Sequence, residues 1–301
     1  MVKVSVILPT YNSAARLQST LDSILGQTGN GKDFILELIV VDDCSTDNTA
    51  EILRQNHIDF LTTVQNSGGP NKGRNIGLDH ATGDFICFID HDDIWAKDKI
   101  HCQLKVAQIG PIISTGYRIV DKHRNQTFTY GEDKNEVMIS PVNAAFLEKL
   151  TRHKKAQQPY PSNLMINRSL KHIRFEEHFG MVDYDWQLRL FENRSLVEIT
   201  KPLVTRHVHG YNLSLNQEYR KNDYSYSLRC LESFAGRYPK EVAVARKRIN
   251  GTIARYYYMI GEMHSARKYF IRSIWDIKTM LYYFTSYYGD TLVKKHFKVF
   301  G

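Results

Sequence analysis

The chain has 301 residues, of which 42% are hydrophobic and 24% are charged, and this composition excludes a disordered or fibrous protein. Its four cysteines are scattered without a CxxC pair, which excludes a disulfide scaffold and a thiolate zinc site. The formal net charge of +8 is concentrated at one end, because residues 237–301 contain 13 Lys or Arg and 4 Asp or Glu.

Strands that alternate with helices are predicted for the first part of the chain. Short apolar runs indicate buried strands, and apolar residues at helical spacing indicate helices at 17–25 and about 72–80. The predicted strands cover residues 2–8, 36–41, 59–64 and 84–89. Strands separated by helices in this way pair in parallel, so the sequence predicts an α/β fold with a doubly wound, mostly parallel sheet flanked by helices.

Extended stretches replace this alternation after residue 111, and helices dominate after residue 211. The elements predicted between these points are extended segments at 112–131, a helix at 140–150, a strand at 163–167 and a helix at 183–192. The sequence therefore predicts a domain of residues 1–210 with halves of about 1–110 and 111–210, followed by a helical region, 211–301.

Acidic residues follow two of the predicted strands at the point where each strand ends. Asp42 and Asp43 come directly after the second strand, and Asp90, Asp92 and Asp93 follow the fourth. Ligands of open parallel sheets bind outside the carboxyl ends of the strands. An aspartate after a strand also caps loops, but acids at two neighbouring strand ends favour a binding site. Carboxylates hold Mg²⁺ or Mn²⁺ together with substrate phosphates, so the sequence predicts such an ion here.

A glycine-rich segment, residues 66–75, opens the helix that follows the third predicted strand. Glycines at a helix start let backbone amides approach a phosphate, and Lys72 and Arg74 add positive charge. The segment is neither GxGxxG nor a P-loop, and an ordinary glycine-rich turn is the alternative. Its position at the same sheet edge as the acids favours a role in phosphate binding.

Five motifs in fixed order resemble one family. They are VSVILPTYN at 4–12, VVDDCSTD at 40–47, KGRNIG at 72–77, FIDHDD at 88–93 and VDYDWQLR at 182–189. Together they resemble the family-2 glycosyltransferases with the GT-A fold, over about residues 2–210. Three features depart from that family: Val182 replaces the usual Glu, Cys44 replaces the usual Gly, and the absence of a QxxRW motif argues against a processive polysaccharide synthase.

The resemblance implies inverting transfer of a sugar from a nucleotide-diphosphate sugar, with a UDP-sugar favoured, to a hydroxyl of a glycan or lipid-linked acceptor in cell-surface polysaccharide synthesis. Residues 1–110 would bind the donor and 111–210 the acceptor. The implied donor-binding residues are Pro9, Thr10, Tyr11, Asp43, Arg74, Asp90 and His91. Asp92 and Asp90 would bind Mn²⁺ or Mg²⁺, with His209 as a further candidate ligand. Asp183 would be the general base, with Asp185 as its rival in the same motif.

Two other functions stay open at this point. Val182 in place of Glu is compatible with a GT-A-like protein that binds a nucleotide or a partner without catalysis, although Asp92 and Asp183 are intact. A nucleotidyltransferase also uses acids at strand ends. It needs a phosphate-cradling loop directly after the first strand, where this chain has Pro-Thr-Tyr-Asn at 9–12, so it ranks below the other two.

The basic end of the chain is also rich in aromatic residues, with 14 of the 35 lying from Arg237 onward. Basic and aromatic residues mixed on helices are typical of a surface helix that faces anionic lipid, and a helical cap on the catalytic domain is the alternative. No nucleic-acid-binding module is recognisable. The apolar runs are too short to span a bilayer and the start lacks a signal-peptide core. The sequence thus predicts a cytoplasmic protein whose residues 237–301 either contact the inner face of a membrane or cap the catalytic domain.

Overall fold

A computed structural model describes residues 1–121, 125–152, 159–178, 180, 183–208 and 216–289. The described residues form two compact units: those of Met1–Phe146 with Lys154–Asn212, and those of Leu147–His153 with Leu213–Gly301. The first unit contains a mixed sheet with helices, and the second consists of helices. Each unit is described by itself below.

The sheet of the first unit has the order β3-β2-β1-β4-β9-β6-β10-β5, with β7 paired to β6 and β8 to β10. Its strands are β1 Val2–Thr10, β2 Phe34–Asp42, β3 Phe60–Thr62, β4 Phe85–Phe88, β5 Asp93–Trp95, β6 Ile112–Asp121, β7 Gln126–Tyr130, β8 Val137–Ser140, β9 Leu164–Asn167 and β10 Leu196–Val208. Pairing is parallel among β1 to β4 and between β6 and β10, and antiparallel elsewhere. The predicted α/β fold is confirmed, with parallel pairing concentrated in its first half.

The helices are α1 Leu17–Leu25, α2 Thr49–Gln55, α3 Asn71–His80, α4 Lys99–Lys105, α5 Ala144–Leu150, α6 Tyr184–Phe191, α7 Gln217–Ala235, α8 Pro239–Met259, α9 Met263–Phe270 and α10 Ile277–Thr285. The helices predicted at 17–25, about 72–80, 140–150 and 183–192 correspond to α1, α3, α5 and α6, whereas α4 was not predicted. Apolar residues of α1 at helical spacing, Leu17, Leu21 and Ile24, are buried in the same core cluster as Val4 and Val6 of β1.

Two glycines of α3 allow this helix to lie unusually close to β1. A Cβ atom added at Gly73 would meet the Cβ of Pro9 at 3.0 Å, and one added at Gly77 would meet Cγ2 of Ile7 at 2.4 Å. Any larger residue at Gly77 would therefore force the helix away from the sheet. These two glycines serve helix–sheet packing, and the predicted approach of backbone amides of residues 66–75 to a phosphate remains a prediction.

The second unit packs α8, α9 and α10 around a small aromatic core. Its buried residues are Ala254, Tyr258, Ala266, Phe270 and Tyr282. The Tyr258 hydroxyl donates to Thr285 Oγ1 at 3.0 Å, so the one polar group of this ring has a partner. Within the described residues, no helix combines the length and the hydropathy needed to cross a membrane.

Candidate active site

Asp42, the last residue of β2, is a structural residue. It is buried, and its carboxylate accepts hydrogen bonds from Thr10 Oγ1 at 2.8 Å and Ser45 Oγ at 2.6 Å. These bonds tie the end of β1 to the turn after β2. The hydroxyl of Thr10, a predicted donor-binding residue, is therefore already engaged within the protein.

Asp43, the second acid, organises the loop after β3. Its side chain is 4% exposed and accepts from Thr63 Oγ1 at 2.8 Å, Asn66 Nδ2 at 3.2 Å, and Ser67 N and Oγ at 2.8 and 2.7 Å. A carboxylate offers about four acceptor sites, and this loop uses that many. Oδ2 accepts three of these bonds and Oδ1 accepts one, so Asp43, a predicted donor-binding residue, is used mainly to hold this loop.

The other predicted donor-binding residues at the ends of β1 and β2 differ in how much of their side chains is exposed to solvent. Tyr11 leaves 40% of its surface open, whereas Pro9 is buried against Gly73. Cys44 has a φ of +61°, the left-handed region that favours glycine, which accounts for the Gly usual in the resembled family at this position. Of the predicted donor-binding residues at this corner, Pro9, Thr10, Tyr11 and Asp43, Tyr11 is thus the one with a large exposed side chain.

Arg74 and Asp90 form an ion pair at the end of β4. Arg74, on α3, is 1% exposed, and its Nη2 donates to Asp90 Oδ1 at 2.5 Å; the Asp90 side chain is 34% exposed. Burial raises the pKa of Asp90, and the Arg74 guanidinium lowers it by more, so the net pKa lies below its usual value. Arg74 therefore keeps Asp90 ionised and acts on the site through this carboxylate.

Three carboxylates crowd the loop from β4 to β5. His91 and Asp92 are half-buried, and Asp93 is 1% exposed. Burial, followed by the negative charges of Asp90 and Asp92, raises the pKa of Asp93 well above its usual value. The three negative charges repel one another, and a bound cation would reduce this repulsion.

Arg206 faces the same acids and was missed by the sequence analysis. Antiparallel pairing of β10 with β5 sets Arg206 opposite Asp93, and its guanidinium lies 5.8 Å from the ring centroid of Tyr160. Burial lowers the pKa of Arg206, and the negative charges of Asp93, Asp90 and Asp92 raise it, so the net pKa lies above its usual value. β10 was not predicted from the sequence. Arg206 is placed beside the acids only by the pairing of β10 with β5, which the sequence alone does not reveal.

Two of the predicted metal ligands, Asp90 and Asp92, belong to one loop, and the third, His209, lies outside the described residues. Val182, which replaces the Glu usual in the resembled family, also lies outside them. In the described part of the chain, no group of three or more His, Cys, Asp or Glu side chains could hold a metal ion. Mg²⁺ and Mn²⁺ are commonly bound by one or two carboxylates with phosphate oxygens completing the shell. The donor set of Asp90 and Asp92 fits an ion that binds together with a diphosphate.

Asp183 and Asp185, the two candidate bases, have different surroundings on α6. Asp183 is the half-buried N-cap residue, makes no side-chain capping bond, and accepts from Gln187 Nε2 at 3.3 Å. Asp185 accepts from Arg189 Nε at 2.8 Å and forms an ion pair with that guanidinium. The carboxylate of Asp185 is occupied by its own helix, which favours Asp183 as the base.

Comparison with known proteins gives a consistent family. The profile described as "Glycosyl transferase family 2" matches residues 5–174. The poly(ribitol-phosphate) beta-N-acetylglucosaminyltransferase TarS of Staphylococcus aureus is 41% identical over 104 residues, which are 33% of this chain and 18% of that protein. The putative teichuronic acid biosynthesis glycosyltransferase TuaG of Bacillus subtilis is 40% identical over 151 residues, 45% of this chain and 58% of that protein.

A solved structure extends the likeness of fold to nearly the whole chain. The crystal structure of S. aureus TarS 1-349 in complex with UDP-GlcNAc has a TM-score of 0.60 and 19% identity, and the match covers 97% of this chain and 92% of that one. The same fragment in complex with UDP gives a TM-score of 0.57. At this level of identity, the likeness establishes the fold.

Proposed function

The chain belongs to glycosyl transferase family 2, and we propose that it transfers a sugar from a nucleotide-diphosphate sugar to a hydroxyl of an acceptor glycan, with inversion at the anomeric carbon. One contact carries the proposal. Trp186 of α6 packs against Phe88, with ring centroids 5.4 Å apart. Because Phe88 lies two residues before Asp90 and α6 begins after Asp183, the helix with the candidate base lies against the strand that ends at the acidic cluster.

Donor binding is assigned to the edge formed by the ends of β1, β2 and β4. Tyr11 offers an exposed ring for the base, and Asp43 holds the neighbouring loop from Thr63 to Ser67. Asp90 and Asp92 would hold Mn²⁺ or Mg²⁺ with the diphosphate, and His91 lies between them. When bound, such an ion supplies Lewis-acid stabilisation of the negative charge on the leaving diphosphate.

Two arginines set the charge of this region in different ways. Arg74 lowers the pKa of Asp90 and so keeps it ionised at neutral pH. Arg206 adds positive charge beside Asp90, Asp92 and Asp93, where it balances the acids and favours a diphosphate.

Asp183 would act as the general base on the acceptor. The acceptor hydroxyl oxygen attacks the anomeric carbon and forms the new glycosidic bond, while the bond from that carbon to the diphosphate breaks. The hydroxyl proton passes to the Asp183 carboxylate, and the nucleoside diphosphate leaves with the bonding electrons. Proton removal by such a base is typically worth about 10²–10⁴-fold in rate.

Two relatives support the proposed classes of donor and acceptor. TarS is described by its poly(ribitol-phosphate) acceptor and its N-acetylglucosaminyl group, and TuaG by teichuronic acid biosynthesis. We propose a UDP-sugar as donor and a glycan or lipid-linked acceptor of cell-surface polysaccharide synthesis. The matched regions span 18% and 58% of these relatives, so the acceptor is assigned as a class.

A membrane surface is the further proposed partner, and it would be reached from the cytoplasmic side. α10 presents apolar residues at helical spacing that are largely exposed, with Ile277 at 78%, Leu281 at 50% and Phe284 at 59%. The surrounding sequence, 237–301, has 13 basic and 4 acidic residues. An apolar stripe within a basic region is typical of helices that lie in the interface of anionic lipid.

A donor-turnover assay tests the proposed activity. Wild type, Asp92→Ala and Asp183→Asn are incubated with UDP-GlcNAc or UDP-glucose and Mn²⁺, and release of UDP is measured with and without added glycan acceptor. Turnover in wild type that depends on both aspartates supports the proposal. Nucleotide binding without any turnover would instead support the non-catalytic, nucleotide-binding alternative.

A further inference from the structure

α3 carries a stripe of polar side chains that faces an extended segment, residues 174–177. Asn71, Asn75 and Asp79 are spaced four residues apart, so they project from the same side of the helix. Asn71 and Asn75 are buried, and Asp79 lies at the exposed end. Asn75 is the member of this stripe that lies in the KGRNIG motif, whose glycines pack on β1.

Asn75 binds the backbone of one residue of this segment at two points. Its Oδ1 accepts from Phe175 N at 2.9 Å, and its Nδ2 donates to Phe175 O at 2.9 Å and to Glu177 Oε1 at 2.7 Å. Asn75 is 5% exposed, so water has little access to these groups. The side chain thereby fixes both the position and the register of Phe175.

The flanking residues are held in the same way. Asn71 Nδ2 donates to Glu176 O at 2.7 Å, and Arg174 donates to both carboxylate oxygens of Asp79 at 2.7 and 2.9 Å. Arg174 Nη2 also donates to Asn75 O at 2.7 Å. Each residue from Arg174 to Glu177 is therefore hydrogen-bonded to α3.

The same segment is the platform on which α6 rests. Trp186 stacks on Phe175 with centroids 4.2 Å apart and an interplanar angle of 15°, and its Nε1 donates to Ile173 O at 3.0 Å. Arg189 Nη2 donates to Arg174 O at 2.7 Å. The helix that begins after Asp183 is thus docked on residues that α3 holds.

α3 also holds the other half of the site. Between Asn71 and Asn75 lies Arg74, which pairs with Asp90 and whose guanidinium lies 5.2 Å from the ring centroid of Phe175. A single helix therefore contacts the carboxylate at the end of β4 and the platform under α6.

We propose that Asn75 is a positioning residue that sets Asp183 relative to Asp90, acting through Phe175 and Trp186. The inference rests on the proposed function, in which Asp183 is the base and Asp90 belongs to the donor site. Removing Asn75 leaves the buried N–H and C=O of Phe175 without these partners, so the platform shifts. Misplacement of a catalytic group by about 1 Å costs on the order of 10²-fold in rate.

The test compares Asn75→Ala with Asp79→Asn, a matched control on the same stripe whose contact with Arg174 is exposed. For Asn75→Ala, we expect kcat for UDP-sugar turnover to fall by about 100-fold with the affinity for UDP unchanged. Amide hydrogen exchange should accelerate in residues 174–178 and in α6, and not in β1. Asp79→Asn should retain kcat and the exchange of α6.

Two outcomes would overturn the proposal: unchanged kcat in Asn75→Ala, or faster exchange confined to residues 174–178 with α6 unaffected. If Asn75→Ala does not fold, Phe175→Leu keeps the backbone bonds, removes the stack on Trp186, and should give the same loss of kcat without loss of UDP affinity. If wild type turns over no donor, the proposed function fails, and the exchange of α6 still decides whether Asn75 positions this helix.

Discussion

Asp185 and Arg189 form an ion pair across one turn of α6, while Asp183, the N-cap residue of the same helix, makes no side-chain capping bond. The two carboxylates are two residues apart in the sequence and have different surroundings. Asp185 holds Arg189, which also donates to the backbone of Arg174. The side chain of Asp183 accepts a hydrogen bond from Gln187 Nε2 at 3.3 Å, a long bond that a substrate hydroxyl can compete with.

The first prediction concerns this difference. Asp183→Asn should keep nucleotide binding and lose about 10²–10⁴-fold in transfer rate, because an amide cannot accept the acceptor proton. Asp185→Asn is the matched control, and we expect it to retain most of the turnover. Initial rates with a UDP-sugar measure both variants, and full turnover in Asp183→Asn would rule out its role as base.

The second prediction concerns the buried ion pair at the end of β4. Arg74→Met should lower the free energy of unfolding by about 3 kcal/mol, the lower end for breaking a buried pair, since a third of the Asp90 side chain is exposed. Urea unfolding at pH 7 measures this change. The variant should also bind UDP less tightly in the presence of Mn²⁺, because Asp90 loses the cation that lowers its pKa. Wild-type stability in the variant would contradict the account.

The third prediction uses pH and lies away from the site. Burial raises the pKa of Glu37, and hydrogen bonds from Lys3, Ser5 and Thr82 lower it by more, to about 2 from 4.5. A depressed pKa stabilises the fold above the unfolded value and loses this contribution as pH falls through the folded value. Because the Lys3 partner is exposed and its charge is screened by solvent, Glu37→Gln should cost about 1 kcal/mol at pH 7 and little near pH 2. Urea titrations at both pH values check this, and an equal cost at both would refute it.

The fourth prediction concerns α10 and lipid. Wild type should co-sediment with vesicles that contain anionic phosphatidylglycerol, and binding should weaken with added salt. Phe284→Asp should abolish it, because the charge lies on the exposed apolar stripe. Ile35→Asp on β2 is the matched control, with 48% of Ile35 exposed outside the basic region. Equal binding by both variants, or by neutral vesicles, would remove the proposed partner.

Much of the first half of the sheet is predictable from sequence because its strands are continuous apolar runs. β1, β2 and β4 lie near the predicted bounds, and the acids that follow them end at one edge. β10 was not predicted, since polar residues such as Glu198, Thr200 and Lys201 interrupt its 13 residues and its register shifts between Ile199 and Pro202. β10 pairs with β5, β6 and β8, which are distant in the sequence, and these long-range pairings determine that residues 196–208 form a strand.

The site was predicted in the same uneven way. Positions after strands and the family resemblance pointed to the aspartates and Arg74, and these assignments remain predictions for the donor, the metal and the base. Arg206 could not be identified without β10. The hydrogen bonds of Asp43 to its loop, and those of Asn75 to Phe175, join residues distant in the sequence, which periodicity does not reveal.

A thermal-shift panel tests the central claim most directly. Wild type and Asp92→Ala are heated with UDP, GDP or UDP-GlcNAc, each with and without Mn²⁺. A ligand that binds the folded state alone stabilises it by about 2.7 kcal/mol at 100 times its Kd, which raises Tm. We predict stabilisation of wild type by UDP and UDP-GlcNAc that requires Mn²⁺ and is lost in Asp92→Ala. Failure of every nucleotide to raise Tm, or an equal rise in Asp92→Ala, would contradict the account.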